Sequence, residues 1–401
     1  MSKAVRSLAV AAALGVAGAF AACSSDDPKT NPPGADAGPE ASSSSSSSGG
    51  PEAKGGFVVT VSGEDLAVNG YDWTKDSLAE GDPPAFVDGW AIKFDHVIVT
   101  VDKIRVNADP DKDEANPKNV GPVVASVDGP FAVDVAIGGD VVGKSGSPDE
   151  KTVAIATLEK QSSGAAFDPA TRYAFSYDLV SAAANAKLVN LDAAGKALYE
   201  EAKAKGWSTI YSGTATYKGP PVDDDAGVNV FAKIPKEVKF KLGFKNPATY
   251  ANCRNTDLQK AGDEFPRGVQ ATANKTTTVQ ITIHTDHAFW DKLNVEGTPL
   301  HFDAIAASSS TYGTPATPGV VTIEDLAAVD VTGFKTKAGE PLPWRSLVKD
   351  YSAPAGQMKF DANGTSFSKA NSFAAFLAYS AASGGHLNAD GECEITNNFT
   401  P

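Results

Sequence analysis

The chain is built around the run Val279-Gln280-Ile281-Thr282-Ile283-His284-Thr285-Asp286-His287. Apolar side chains alternate with polar ones along its first six residues, which is the period of a half-buried β-strand. The strand is predicted to end at Thr285-Asp286, where either residue can N-cap a short helix through residues 288–293. His284 and His287, two of the five histidines of the chain, therefore meet at a strand-to-helix junction.

These two histidines and the distant His386 form a candidate metal site. His284 falls on the polar side of the predicted strand, so its ring need not be buried with the apolar residues. His287 falls in the predicted first turn of a helix, where the positive end of the helix dipole lowers the pKa of an imidazole and keeps it neutral. Asp286 is expected to orient a ligand or to complete the coordination.

The expected metal is a transition metal. Three imidazole nitrogens suit zinc or copper(II) better than calcium or magnesium, and Asp291 or Glu392 could replace Asp286 as the acidic group. An open coordination position would permit hydrolysis by a metal-bound water, whereas a closed site would be structural or would capture metal. Whether the protein is an enzyme is left open. H-x-x-H alone is a weak motif, so two hydrogen-bonded histidines in an ordinary loop are the alternative.

The cysteines predict a disulfide. Besides Cys23, the chain has only Cys253 and Cys393, and two cysteines left over in an exported protein are most simply one disulfide. The bridge would fix the segment of His386 to the sheet. A metal–thiolate pair is the alternative.

The N-terminus has the pattern of an export signal. Residues 1–22 combine a short basic region with an apolar run that is too short to span a bilayer. The run ends in Phe20-Ala21-Ala22-Cys23, which resembles the lipobox of bacterial lipoproteins and implies cleavage before Cys23 and lipidation of its thiol. Ser24 follows, and the resemblance implies an outer-membrane lipoprotein of the cell envelope, displayed in the periplasm or at the surface. An ordinary cleaved signal with a chance cysteine is the alternative.

Residues 23–56 are predicted to be a disordered tether. They are rich in Ser, Pro and Gly and have almost no apolar side chains, so they cannot bury enough surface to offset the entropy of ordering. A flexible segment of this length reaches about 30 Å from its anchor. The formal net charge of −14 argues against nucleic acid as a partner and leaves cations, neutral glycans and basic proteins open.

Beyond the tether the sequence predicts a mainly β protein. Residues 57–245 are predicted to form an antiparallel β-sandwich, because short apolar runs alternate with turn residues. Strands are expected at residues 57–61, 90–106, 123–127, 131–137, 152–158, 172–179, 208–217, 228–234 and 237–244. A surface helix is predicted at residues 192–205. Residues 246–401 are predicted to form an α+β portion whose short helices begin at Thr298-Pro299, Thr322 and Ser372.

Other candidate sites carry weaker signals. His96 lies in phase with apolar strand residues, which predicts a hydrogen-bonded core histidine. Asp109, Asp111 and Asp113 have the spacing of a calcium loop, but Glu114 replaces its glycine, so a solvated loop is favoured. The five tryptophans could form a platform for sugars. A non-enzymatic surface module that binds glycan or an envelope protein is therefore the alternative function.

Several motifs resemble a set of uncharacterised Gram-negative lipoproteins. They are His284-Thr285-Asp286-His287, Gly385-His386, Gly391-Glu392-Cys393, Thr322-Ile323-Glu324-Asp325-Leu326 and Phe86-Val87-Asp88-Gly89-Trp90. The likeness spans most of the chain beyond the tether. It implies a shared architecture and supports the candidate histidines. It does not imply any particular reaction. That set often has an acidic, calcium-loop-like run where this chain has Ser, Thr, Pro and Gly at residues 308–319, which argues against calcium here.

Overall fold

The structure, a computed structural model, describes most of the chain beyond residue 54. The described residues are 55–74, 85–147, 149–223, 229–293, 299–309, 319–329, 342–348 and 372–400. They belong to one compact unit, Glu52–Pro401. The predicted signal, Cys23 and nearly all of the tether lie outside these residues and stay predictions. No helix in the described ranges is both long and apolar enough to cross a bilayer.

Strands dominate the described residues. They are β1 (Phe57–Ser62), β2 (Trp90–Asn107), β3 (Val123–Val127), β4 (Phe131–Asp134), β5 (Val141–Val142), β6 (Lys151–Leu158), β7 (Arg172–Leu179), β8 (Lys187–Val189), β9 (Thr209–Tyr217), β10 (Glu237–Phe244), β11 (Ala248–Ala251), β12 (Val269–Gln270), β13 (Thr277–Ile283), β14 (Val320–Thr322), β15 (Gly385–Leu387) and β16 (Glu394–Asn397). The α-helices are α1 (Glu64–Asn69), α2 (Ala193–Lys205), α3 (Asp303–Ala307), α4 (Ile323–Ala327) and α5 (Phe373–Ala382).

The strands form two open sheets. The smaller sheet has the order β15-β13-β1-β6-β5, and the larger has the order β14-β10-β9-β2-β7-β11-β16, with β3, β4, β8 and β12 attached to it. The mainly β fold with a few short helices is confirmed. The sheets are mixed rather than purely antiparallel, because β1 runs parallel to β13, β4 to β8 and β10 to β14.

One hydrophobic core joins the two sheets. It includes Val59 and Ile281 from the smaller sheet together with Phe94 and Tyr211 from the larger one, all nearly inaccessible to solvent. Strands from both sides of the predicted boundary at residue 245 build each sheet. β13 pairs with β1, and β11 lies between β7 and β16.

Three predicted helix starts are confirmed, each at a residue whose side chain caps the helix. Asp192 accepts a hydrogen bond from the N–H of Gly195 at the start of α2, and Gly206 ends that helix in the left-handed conformation. Thr322 forms a capping box with Asp325 at the start of α4. The hydroxyl of Ser372 accepts the backbone N–H of Ala375 at the start of α5. These three predictions are confirmed.

Two element predictions outside the central run of residues 279–287 are wrong. The strand expected at residues 228–234 is a 3-10 turn at Val230–Lys233, because the side chain of Asn229 accepts the N–H of Phe231 and curls the chain; Val228 itself lies outside the described residues. The helix expected from Thr298-Pro299 begins only at Asp303, where the buried carboxylate of Asp88 accepts the first backbone N–H groups. Thr298 also lies outside the described residues.

One prediction about buried or exposed side chains is confirmed, and another is wrong. His96 is a buried, hydrogen-bonded residue as predicted, with its Nδ1 2.6 Å from Oδ2 of Asp134. The platform of exposed tryptophans is wrong, because all five indoles are at most 2 % exposed. The tryptophan side chains are therefore part of the protein interior.

Candidate metal centre

The central strand β13 is buried on both faces, so the expected half-buried strand is corrected. Gln280 and Thr282, on its polar face, are completely inaccessible. Gln280 Nε2 donates to Oε1 of Glu150 at 2.8 Å, and its Oε1 accepts the backbone N–H of Lys144 at 3.0 Å. Because the side-chain amide of Gln280 has these hydrogen-bond partners, this face of β13 can be buried.

His284 lies where β13 ends. Its backbone N–H donates to the carbonyl of Gly384 at 2.8 Å, which extends the pairing of β13 with β15 by one step. Thr282 lies directly opposite His386 in that ladder. Residues opposite each other share a face, and so do residues two apart on one strand, which brings His284 and His386 side by side.

The chain after His284 forms a single 3-10 turn, Asp286–Phe289, rather than the predicted helix through residue 293. The side chain of Thr285 caps nothing. Its hydroxyl is hydrogen-bonded to the hydroxyl of Tyr71 at 2.8 Å instead. A turn this short has no helix dipole to act on His287. The prediction that such a dipole lowers the pKa of this imidazole is therefore wrong.

The three predicted histidines converge. The ring centroids of His284 and His386 are 4.4 Å apart and the rings are stacked. The ring of His287 stands edge-on to both, with its centroid 5.4 Å from each. The fold thus brings together imidazoles from the end of β13, the following turn and β15.

His287 is held with one nitrogen available. Its Nδ1 is 2.9 Å from the hydroxyl oxygen of Ser383, and that hydroxyl donates its only proton to the carbonyl of Ser380 at 2.7 Å. Nδ1 must therefore be the donor of the first bond, which leaves Nε2 with its lone pair. The ring also stacks on Trp290, with 3.5 Å between centroids. Burial lowers the pKa of His287 well below its usual value, and the neighbouring rings of His386 and His284 lower it further.

Three ligand atoms form a group that could hold a metal ion. His284, Asp286 and His287 each offer one, and all lie within 4.8 Å of one another. The closest approach of Asp286 to His284 is 4.0 Å, between Oδ1 and Nδ1. Burial raises the pKa of Asp286, while His284 and a hydrogen bond from Nε1 of Trp290 (3.3 Å) act against that rise. The carboxylate is thus oriented by an indole while facing an imidazole.

His386 borders this group without supplying one of its three ligand atoms. Burial and the nearby His284 lower the pKa of His386 to about 3, against the smaller effect of hydrogen bonds with the backbone of Asp390 and Ser383. The ring is therefore neutral at physiological pH, as a ligand must be. Its role as a ligand stays a prediction.

The opposite edge of His284 faces two carboxylates that sequence reasoning did not select. Its Nε2 is 3.9 Å from an oxygen of Glu64, 3.9 Å from an oxygen of Asp390 and 3.4 Å from the carbonyl of Ala389. Glu64, His284 and Asp390 form the second group whose ligand atoms could hold an ion. Burial raises the pKa of Glu64, although His284 acts against it.

The sheet explains why Glu64 arrives there. Ser62, the last residue of β1, lies beside Thr282 of β13, and the two strands run parallel. The backbone therefore leaves both strands at the same edge of the sheet, where Glu64 follows β1 and His284 follows β13. No spacing in the sequence signals this, because it depends on which strands pair.

The segment of His386 and Asp390 is held in place from several sides. The predicted disulfide Cys253–Cys393 is confirmed and closes its far end. Asn388 accepts the backbone N–H of Gln280 at 2.9 Å and donates to Asn255 at 2.7 Å. The turn that carries Asp390 is thus tied to β13 and to the segment after β11.

The other acidic candidates lie elsewhere. Asp291 lies beside His301, with 3.8 Å between Oδ2 and Nε2. In the predicted solvated loop, Asp111 forms an ion pair with Arg172, and Asp113 accepts hydrogen bonds from the backbone of Ala115 and Asn116. Glu392 belongs to neither group of potential ligands in the described residues.

Comparison with known proteins gives no family. No family model matches the chain, and no curated protein or solved structure matches it.

Proposed function

We propose that this protein is a lipid-anchored protein of the cell envelope that binds a transition metal, zinc or copper(II), at the histidine cluster. His284 and His287 are the nitrogen ligands, Asp286 supplies an oxygen, and His386 is the third imidazole. The observation that carries the proposal is the group of three ligand atoms within 4.8 Å, two of them imidazole nitrogens. The donor set of imidazoles with one carboxylate is typical of zinc sites and also suits copper(II).

The rings are in the state that metal binding requires. Metal ligation needs neutral imidazoles, and burial lowers the pKa of both His287 and His386. The Ser383 hydroxyl fixes the tautomer of His287, as hydrogen-bond partners of metal-ligating histidines do. A bound cation would also offset the charge of the Asp286 carboxylate beside these rings.

The metal proposal is tested on the full chain, purified in detergent. The protein is stripped with a chelator, loaded with zinc or copper(II), desalted and analysed for metal by mass spectrometry. We expect retained metal in the wild type and its loss in His284→Ala and His287→Ala. His96→Gln is the matched control, because it removes a buried histidine that is bonded to Asp134 away from the cluster. Circular dichroism checks that each variant is folded. A wild-type chain that retains no metal would contradict the proposal.

The anchor is tested separately. Metabolic labelling with a fatty acid should mark the wild-type protein, and Cys23→Ala should abolish the label. Fractionation of the labelled cells should place the protein with the outer membrane. A label that survives in Cys23→Ala would contradict lipidation at that residue while leaving the metal proposal intact.

A further inference from the structure

The imidazole of His284 has carboxylates at both of its nitrogens. Asp286 approaches Nδ1 at 4.0 Å. Glu64 and Asp390 approach Nε2, each at 3.9 Å. The two ring nitrogens point in different directions, so the two sets of oxygens lie on different sides of one ring.

These separations fit a shared cation better than direct contact. A hydrogen bond between nitrogen and oxygen needs about 2.7–3.2 Å, and each carboxylate oxygen lies well beyond that range. Two ligands of one tetrahedral zinc ion lie about 3.4 Å apart, given bond lengths of about 2.0–2.1 Å. The separations between His284 and the carboxylates thus exceed this ligand spacing by about half an ångström, and the ligand atoms of each group all lie within 4.8 Å of one another.

The charge of the surrounding carboxylates also favours bound cations. Glu64, Asp286 and Asp390 place three formal negative charges around the ring of His284. A single divalent ion at the Asp286 side leaves the cluster negative, with both remaining carboxylates on the far side of His284. Like charges this close repel each other, and a second cation removes that repulsion.

We infer that His284 bridges two metal ions. The first is the ion of the proposed function, at Nδ1 with Asp286 and His287, and the inference rests on that function. The second lies at Nε2 with Glu64 and Asp390 and is a divalent transition-metal ion that accepts one nitrogen and two carboxylate oxygens, such as zinc or copper(II).

The bridge requires one proton to leave. A neutral imidazole has one N–H, and with the first ion at Nδ1 that proton is on Nε2, facing the carbonyl of Ala389. Binding of the second ion displaces this proton to solvent, and the Nε2 lone pair forms the new bond. The ring becomes an imidazolate that links the two ions.

Copper(II) is the probe that tests the bridge, because two copper ions joined by one imidazolate couple magnetically. The chelator-stripped full chain is titrated with copper(II), desalted and analysed for bound metal and for paramagnetic resonance intensity. We expect two copper ions per chain, with the signal falling as the second binds. Glu64→Gln/Asp390→Asn should retain one ion with an uncoupled signal. The matched control, Asp65→Asn/Glu392→Gln, removes neighbouring carboxylates and should keep both ions and the coupling.

The outcomes separate the two proposals. One copper ion in the wild type would overturn the bridge, while the proposed function stands. Two ions that remain in Glu64→Gln/Asp390→Asn, or two ions without coupling, would also overturn the bridge. A wild-type chain that binds no metal would overturn both proposals.

Discussion

At the scale of single residues, the cluster depends on a hydroxyl that holds one imidazole in its ligating tautomer. In Ser383→Ala the Nδ1–H of His287 loses its acceptor, so the ring can change tautomer and orientation. We expect metal affinity to fall by about ten-fold, the lower end of the effect of losing such a partner. Competition with a chromophoric chelator measures it. Ser383→Thr restores a hydroxyl and should restore affinity; equal affinity in Ser383→Ala would contradict this role.

Burial of the imidazoles also predicts how stability depends on pH. His386 has a folded-state pKa of about 3, far below the value of about 6.5 expected in an unfolded chain. Its contribution is fully present above pH 6.5 and is lost as pH falls, because only the unfolded chain takes up the proton. Between about pH 6.5 and about pH 3, the free energy of unfolding should therefore fall by about 1.4 kcal/mol per pH unit for this ring, and His287 acts in the same direction.

Urea denaturation of the metal-free protein between about pH 7.5 and about pH 5 measures this dependence. The raised pKa values of Asp286 and Glu64 act oppositely, because the folded protein takes up those protons first, so part of the loss is offset at the acidic end. His386→Gln should show a shallower decline than the wild type. Parallel declines in the two proteins would exclude His386 as a source.

At the scale of elements, the position of β15 depends on a glycine. A Cβ on Gly385 would overlap the ring of Tyr250 and lie 2.7 Å from the hydroxyl of Tyr177. Gly385→Ala should therefore push the strand that carries His386 away and destabilise the protein by about 1–3 kcal/mol. Thermal denaturation measures the cost, and metal retention should fall with it. Gly138→Ala is the control, because its Cβ would meet only Lys151, at 3.4 Å. Equal stability of the two variants would contradict the close packing.

Elements were predictable where local chemistry decides them. α2, α4 and α5 begin at side chains that cap them, and these signals are present in the sequence. The turn after β13 was not predictable, because Thr285 bonds to Tyr71, far away in the chain, instead of capping a helix. The burial of the polar face of β13 was also not predictable, because the side chain of Gln280 donates to Glu150, which is distant in the chain and directly precedes β6.

At the scale of the whole molecule, the candidate site shows which contacts a sequence can reveal. His284 and His287 are neighbours in the chain, and the disulfide indicated that the segment of His386 is fixed. Glu64 and Asp390 were missed, since their approach depends on the parallel pairing of β1 with β13 and on the turn that follows β15. The cluster therefore gathers residues that follow β1 and β13 with residues in and after β15, and its ligands meet only in the folded chain.

Because the ligands meet only in the folded chain, metal binding should stabilise the whole molecule. An ion that binds the folded state alone adds about 2.7 kcal/mol when its free concentration is about 100 times Kd, which raises Tm by about 5 °C. Differential scanning fluorimetry with zinc should show this rise, and a chelator should reverse it. His284→Ala/His287→Ala should show no rise, and magnesium should give none in the wild type, since it disfavours imidazole ligands. An equal rise in the variant would mean that zinc acts elsewhere on this acidic surface, whereas a rise confined to the wild type ties the stability of both sheets to the histidine cluster.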